Sequence, residues 1–267
     1  MKKHAKGAAS SAFKNIFIAL VLIFLFLPIV VVVVYSFNTS EMNILFEGFT
    51  AKWYGVVFQD YDLMDALNNT LIVAFLSTVI STVIGTIGAV GMSKYRFRGK
   101  KLLDKVLYIP VVVPEIVLGI ALLCMYTIMQ MTLGLATITL SHVTFCIPFV
   151  IISVRARLAG LDPSLEEAAM DLGANRLRTF VRVILPLLLP GVVSGAMLSL
   201  CLSLDDIVIS FFTSGPDSTT LPLFVYSMVR TGVTPEVNAL YTIIMLITIG
   251  VIAVNTVINV RKLKLNG

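Results

Sequence analysis

The chain has little charge and few residues suited to chemistry, and each shortage closes off a class of function. Only 13% of its 267 residues are Asp, Glu, Lys or Arg, and the mean hydropathy is +0.96. The solvent for most of the chain is therefore lipid. Cys124, Cys146 and Cys201 stand singly in apolar runs without metal-ligand spacing, and the two histidines, His4 and His142, lie far apart with no cluster around them. Free buried thiols and no metal site are expected. There is no G-x-x-x-x-G-K-[ST] loop, so the chain cannot hold ATP in the P-loop manner, and energy from ATP must come through another chain. No basic patch is interleaved with base-stacking aromatics, which excludes a nucleic-acid surface. The first apolar run, Phe17 to Tyr35, is too long and too rich in large residues for a signal peptide, and no A-x-A cleavage site follows it. It reads as a retained anchor.

What is present is apolar: 58% of the residues are hydrophobic. A bilayer core takes about 20 apolar residues per helix, and backbone groups there must satisfy themselves within helices or closed barrels. The runs fit an all-α polytopic membrane protein with six transmembrane helices, over Ile16 to Tyr35, Thr70 to Met92, Val106 to Met125, Ala136 to Val154, Leu187 to Phe212 and Ala239 to Val260. Pro110, Pro114, Gly119 and Gly134 interrupt the third run, and Pro148 sits late in the fourth, so kinks are expected there.

Lys and Arg set the orientation. They cluster in the tail (Lys2, Lys3, Lys6, Lys14), after the second span (Lys94, Arg96, Arg98, Lys100, Lys101, Lys105), in the insert after the fourth (Arg155, Arg157, Arg176, Arg178, Arg182) and at the end (Arg261, Lys262, Lys264). The alternate loops hold only Lys52 and Arg230, beside Glu41, Glu47, Asp60, Asp62 and Asp65. Both termini are thus expected in the cytoplasm. The organisation is a tail over 1–15, a membrane domain over 16–260 with a cytoplasmic insert at 155–186, and a tail over 261–267. The pI of 9.1 reflects this one-sided placement of basic residues.

The insert begins acidic (Glu166, Glu167, Asp171) and turns basic. Asp162 or Ser164 suits an N-cap, Pro163 a first turn, and the two glutamates the positive end of a helix dipole. Gly173 permits a tight turn, and Leu177, Phe180, Val181 and Ile184 suggest a second helix before Pro186. An ordinary interfacial loop with solvated charges is the plain alternative. The pattern Glu167-Ala168-Ala169, three residues, Gly173, nine residues, then Val183-Ile184-Leu185-Pro186 resembles the EAA motif of permease subunits in bacterial ABC importers, with valine where that family usually has isoleucine. The resemblance implies a coupling helix that docks into a cytoplasmic ATPase.

KYRFRGK from Lys94, VPEIVLGIALL from Val113, SHVTFCIPFV from Ser141, LSLDDIVISFFTSGP from Leu202 and YSMVRTGVTPEVNAL from Tyr226 widen the likeness to nearly the whole chain. They are similar to the second-permease family of spermidine/putrescine importers, with Glu115 where aspartate is usual. What this implies is a type I ABC importer transmembrane fold (MetI-like) in the bacterial cytoplasmic membrane. The implied partners are a sister permease, two ATPase subunits that bind the ATP, and an extracytoplasmic polyamine-binding protein.

The ionisable groups counted within spans are all acids, Glu115, Asp205 and Asp206. Each costs about 2.5–3.5 kcal/mol to insert, so such groups face a pathway or a partner, and carboxylates without Lys or Arg favour a cation. An organic polycation fits. Plainer roles compete: Glu115 follows Pro114 and suits a helix first turn. Asp205 and Asp206, about 100° apart on one helix, cannot both face one cavity, so one is expected to bond a neighbouring helix or Ser203. Glu236 follows Thr234-Pro235, the pattern of a capped helix start, which competes with contact to substrate. Trp53 fits an interfacial belt or stacking on an amine. A stand-alone secondary cation transporter or channel is the alternative from another class, and an importer of another cationic or neutral solute is the alternative within the same fold.

Overall fold

The computed structural model describes residues 2–41, 44–162, 164–228 and 232–265, with side chains over 13–41, 44–162, 164–228 and 232–250. Pro163 and Arg230 lie outside the described residues. Among those described, all regular structure is helical apart from one isolated bridge between Asn38 and Phe49. The helices are α1 (Lys2–Tyr35), α2 (Trp53–Val56), α3 (Tyr61–Lys94), α4 (Lys100–Leu107), α5 (Ile109–Val112), α6 (Glu115–Ile128) and α7 (Leu135–Leu158). Then follow α8 (Ser164–Asp171), α9 (Arg176–Thr179), a π-helical turn (Phe180–Ile184), α10 (Leu185–Leu204), α11 (Val208–Thr213), α12 (Leu221–Ser227) and α13 (Pro235–Leu265). The tail expected over 1–15 is helical from Lys2 and continues into the first span.

Four helical stretches are long and apolar enough to cross a bilayer: Phe13–Tyr35, Tyr61–Lys94, Leu135–Leu158 and Arg176–Leu204. The third expected span is instead a pair of arms, Lys100–Val112 and Glu115–Ile128, bent by 112°. Val113 is extended at the bend (φ −72°, ψ 135°), the conformation that a following proline imposes, here Pro114. Six crossings therefore require this bent pair and α13, whose apolar stretch Pro235–Gly250 is shorter. The fifth expected span is also interrupted, because α10 stops at Leu204 and α11 begins at Val208.

The chain forms two compact units, residues 1–64 with 227–267, and Asp65–Tyr226. In the first, α1 packs on α13, while the side chains from Phe17 to Leu27 remain exposed, as suits contact with lipid. The segment after α1 is organised by buried Asn38. Its amide donates to the Leu45 carbonyl (2.7 Å) and accepts from the Glu47 backbone N–H (2.9 Å).

The second unit is built on small residues at four-residue spacing. On α3 these are Ser77, Ser81, Gly85 and Ala89; on α10 they are Gly191, Gly195, Ser199 and Ser203. Two serine pairs, Ser77 with Ser203 at 3.0 Å and Ser81 with Ser199 at 2.9 Å, join the two stripes in antiparallel register. Val150 of α7 fills the space the glycines leave: a Cβ on Gly85 would lie 2.7 Å from its side chain, and one on Gly195 3.0 Å from its Cα. Helices in lipid gain no hydrophobic drive from meeting, so close backbone approach and hydroxyl pairs hold them together. Ala89, Val90, Ile151, Val154, Ile184 and Leu188 complete this core. Pro148 is accommodated within α7, and Gly119 does not break α6 but admits Phe212 of α11.

Candidate functional site

The interruption between α10 and α11 separates the two neighbouring acids. Because the helix ends at Leu204, the 100° spacing expected of a continuous helix does not apply. Asp205 is exposed, whereas the side chain of Asp206 is 4% exposed. Asp206 Oδ1 accepts from the Ile209 backbone N–H (3.2 Å), and Oδ2 accepts from the Ser210 N–H (2.7 Å) and the Ser210 hydroxyl (2.8 Å). These bonds satisfy orphan donors at the start of α11, which lipid could not satisfy. At its other end the Thr137 hydroxyl donates to the Thr213 carbonyl (2.8 Å). A helix of six residues is thus pinned at both ends by side chains.

His142, which stands in the sequence with no cluster around it, has partners on other helices. The ring is fully buried in α7, with Nδ1 2.7 Å from the Ser203 hydroxyl and Nε2 3.2 Å from Asp206 Oδ2 and 3.1 Å from the Ser210 hydroxyl. With Asp206 ionised, a proton on Nε2 satisfies the carboxylate, and Nδ1 accepts from Ser203. Ser203 in turn meets Ser77, so α3, α7, α10 and α11 share one buried polar chain. Sequence distance concealed this, since His142 is 61 residues from Ser203 and 64 from Asp206. The available signal was an ionisable side chain in mid-span, which marks function whatever its sign.

The other predicted residues divide. Glu115 is exposed in the first turn of α6, after Pro114, and no side-chain hydrogen bond or ion pair joins it to Asp205 among the described residues. Glu236 is half-buried in the first turn of α13, next to Pro235, but the buried Thr234 hydroxyl makes no capping bond. Trp53 is not free to stack on an amine from outside. It is buried, its indole N–H donates to the Asn38 carbonyl (2.6 Å), and Lys52 Nζ already sits 4.2 Å from the ring centroid.

In the insert, Asp162 rather than Ser164 leads into α8: its carboxylate accepts the Ser164 backbone N–H at 2.9 Å, which holds the carboxyl below the ordinary carboxylate range. Glu166 pairs with Lys94 of α3 at 2.6 Å. Glu167 and Ala168 are left exposed, with Ala169 half-buried. Gly173 closes α8 with φ +87°, its N–H bonding the Met170 carbonyl (2.9 Å) while the Ala174 N–H bonds the Ala169 carbonyl (3.1 Å). This is a Schellman cap, which needs a left-handed residue. Leu172 and Leu177 flank it, 89% and 71% exposed. The second helix differs from expectation: after α9, capped by Asn175 accepting the Arg178 N–H (2.8 Å), the chain passes through the π turn straight into α10. The wider turn lets Leu185 N–H bond the Phe180 carbonyl just ahead of Pro186, which has no N–H to donate. Leu185 and Pro186 are therefore the first turn of α10, within the apolar stretch Arg176–Leu204. The charges of Arg155 and Arg157 belong to the last turn of α7, where Arg155 pairs with Asp104 at 2.7 Å.

Comparison with known proteins supplies the context. Residues 81–261 match the family model of the binding-protein-dependent transport system inner membrane component. The chain is 42% identical over 234 residues to the spermidine/putrescine transport system permease protein PotC of Shigella flexneri, covering 88% of this chain and 89% of that one. It is 41% identical over 219 residues to the putrescine transport system permease protein PotI of Escherichia coli (strain K12), covering 79% and 78%. Among solved structures, a chain of a bacterial ABC transporter involved in the import of the acidic polysaccharide alginate superposes with a TM-score of 0.72 at 20% identity, covering 93% of this chain and 95% of that one.

Proposed function

The chain belongs to the family of binding-protein-dependent transport system inner membrane components, which makes it a multi-pass permease subunit of an ABC importer and not an enzyme, and we propose that its cargo is a polyamine, spermidine or putrescine. The observation that carries the cargo is identity of about 40% along most of the chain to permeases named for those two amines. The acids support it independently. Asp205 and Glu115 are exposed and make no ion pair among the described residues, and an exposed carboxylate in a largely apolar chain attracts a cation.

In this reading Asp205 and Glu115 line the path, Asp206 and Ser203 hold it in shape, and Glu236 and Trp53 are structural. The exposed face of α8, with Glu167, Ala168 and Ala169, docks into an ATPase partner. Gly173 shapes the end of that face, and Leu185 and Pro186 pass movement into α10. The exposed Leu172 and Leu177 support this, since large apolar side chains flanking a cap favour burial on binding. The complex comprises this chain, a sister permease, two ATPase subunits that bind ATP, and an extracytoplasmic polyamine-binding protein. It sits in a bacterial cytoplasmic membrane, with both termini of this chain inside.

Reconstitution tests the reading. Vesicles holding the assembled complex should accumulate labelled spermidine or putrescine only with ATP, the ATPase chains and the binding protein. Uptake by this chain alone would favour the secondary-transporter alternative. Uptake that neither amine competes for would move the cargo to another solute while leaving the importer reading intact.

A further inference from the structure

We propose that His142 is a positioning residue for the cargo path, whose ring ties the end of α10 to the start of α11 and so fixes the direction in which Asp205 presents its carboxylate. This rests on the reading of Asp205 as a path-lining residue. Between Leu204 and Val208 the chain has no helical continuity, so something else must set the angle between the two helices. One rigid ring bridges the gap directly: Nδ1 meets Ser203 in the last turn of α10, and Nε2 meets Asp206 and Ser210 across the interruption.

The ring itself has little freedom. It is 0% exposed, stands edge-on to Phe145 at 5.3 Å between ring centres, and bonds a serine that α3 also holds through Ser77. Asp205 lies between Ser203 and Asp206, both of which His142 holds, and it is exposed where they are buried. With Ser203 and Asp206 both held inward, the short Leu204-Asp205 link between them turns the Asp205 side chain outward. Thr137 and the packing of Phe212 on Gly119 hold the body of α11, so a side chain able to reach only one of the two partners would loosen the interruption itself, where Asp205 sits.

His142→Gln tests this, because the longer amide reaches toward the position of Nε2 and gives up the bond at Nδ1. Uptake is measured against spermidine concentration in vesicles with matched amounts of assembled complex, for the parent, His142→Gln, Asp205→Asn and the double variant. Expected for His142→Gln is a rise of about tenfold in half-saturating spermidine, with maximal ATP hydrolysis unchanged. The double variant should be no worse than Asp205→Asn alone, because positioning is lost on a side chain that no longer carries charge. Multiplying effects in the double variant, or loss of assembled protein with an unaltered concentration dependence, would overturn the proposal. Ser203→Ala, which cuts the Nδ1 arm together with the bond to Ser77, goes through the same series beside Ser77→Ala, which cuts the second bond alone, and should give the same non-additive pattern, unlike Ser77→Ala, should His142→Gln fail to assemble. Parental uptake by Asp205→Asn alone would instead sink the path reading, and the positioning claim with it.

Discussion

Removing the carboxylate of Asp206 should cost stability before it costs transport. Asp206→Ala deletes the acceptor of four hydrogen bonds, from Ile209 N–H, Ser210 N–H, the Ser210 hydroxyl and His142 Nε2. The last two donors can re-pair with each other, since the Ser210 hydroxyl lies 3.1 Å from Nε2. The two backbone N–H groups at the start of α11 cannot. Leaving buried donors unsatisfied costs about 1–3 kcal/mol each, and relief from burying a charge offsets part of this, so a net loss of about 3 kcal/mol is expected. Asp206→Asn keeps an acceptor for the three donors on Oδ2 and turns its NH2 toward Ile209 N–H, a loss of about 1 kcal/mol. Thermal unfolding of the purified complex in detergent reads the difference. Asp206→Ala should melt about 6–12 °C below the parent and Asp206→Asn about 2–4 °C below it. A parental melting temperature for Asp206→Ala, or a larger drop for Asp206→Asn, would refute the capping argument.

Glu115→Gln should lower initial uptake at unchanged membrane abundance, whereas Asp62→Asn, exposed in the first turn of α3, should leave uptake at the parental rate; both are read in vesicles with matched complex. Gly195→Leu should reduce the amount of assembled protein, because its Cβ would meet the Val150 Cα at 3.0 Å, where the backbone cannot yield, at a cost of about 1–3 kcal/mol; quantitative immunoblotting of membranes checks it. Trp53→Phe loses the bond to the Asn38 carbonyl and should lower the melting temperature while leaving half-saturating polyamine unchanged. Glu167→Lys and Gly173→Asp should leave the chain inserted yet reduce transport together with substrate-stimulated ATP hydrolysis. The second also forces a non-glycine residue to φ +87°, at about 1–2 kcal/mol.

The sequence alone determined the class, because mean hydropathy, run length and the absence of a nucleotide loop depend on composition and order and not on folding. It also determined where α8 begins and ends: capping residues, the helix dipole and the left-handed glycine after α8 act over a few residues, so Asp162 and Gly173 fall where local chemistry puts them. Tertiary structure decided what the acids do. Asp205 and Asp206 are chemically identical neighbours, and only the ending of α10 between α3 and α7 sends one outward and turns the other into the cap of α11. It likewise decided the role of His142, whose partners lie on other helices. It also decided the closeness of α3, α7 and α10, where Gly85 and Gly195 matter because Val150 arrives between them. Run length cannot reveal such contacts, because in lipid one apolar helix resembles another until small residues and paired hydroxyls bring particular backbones together.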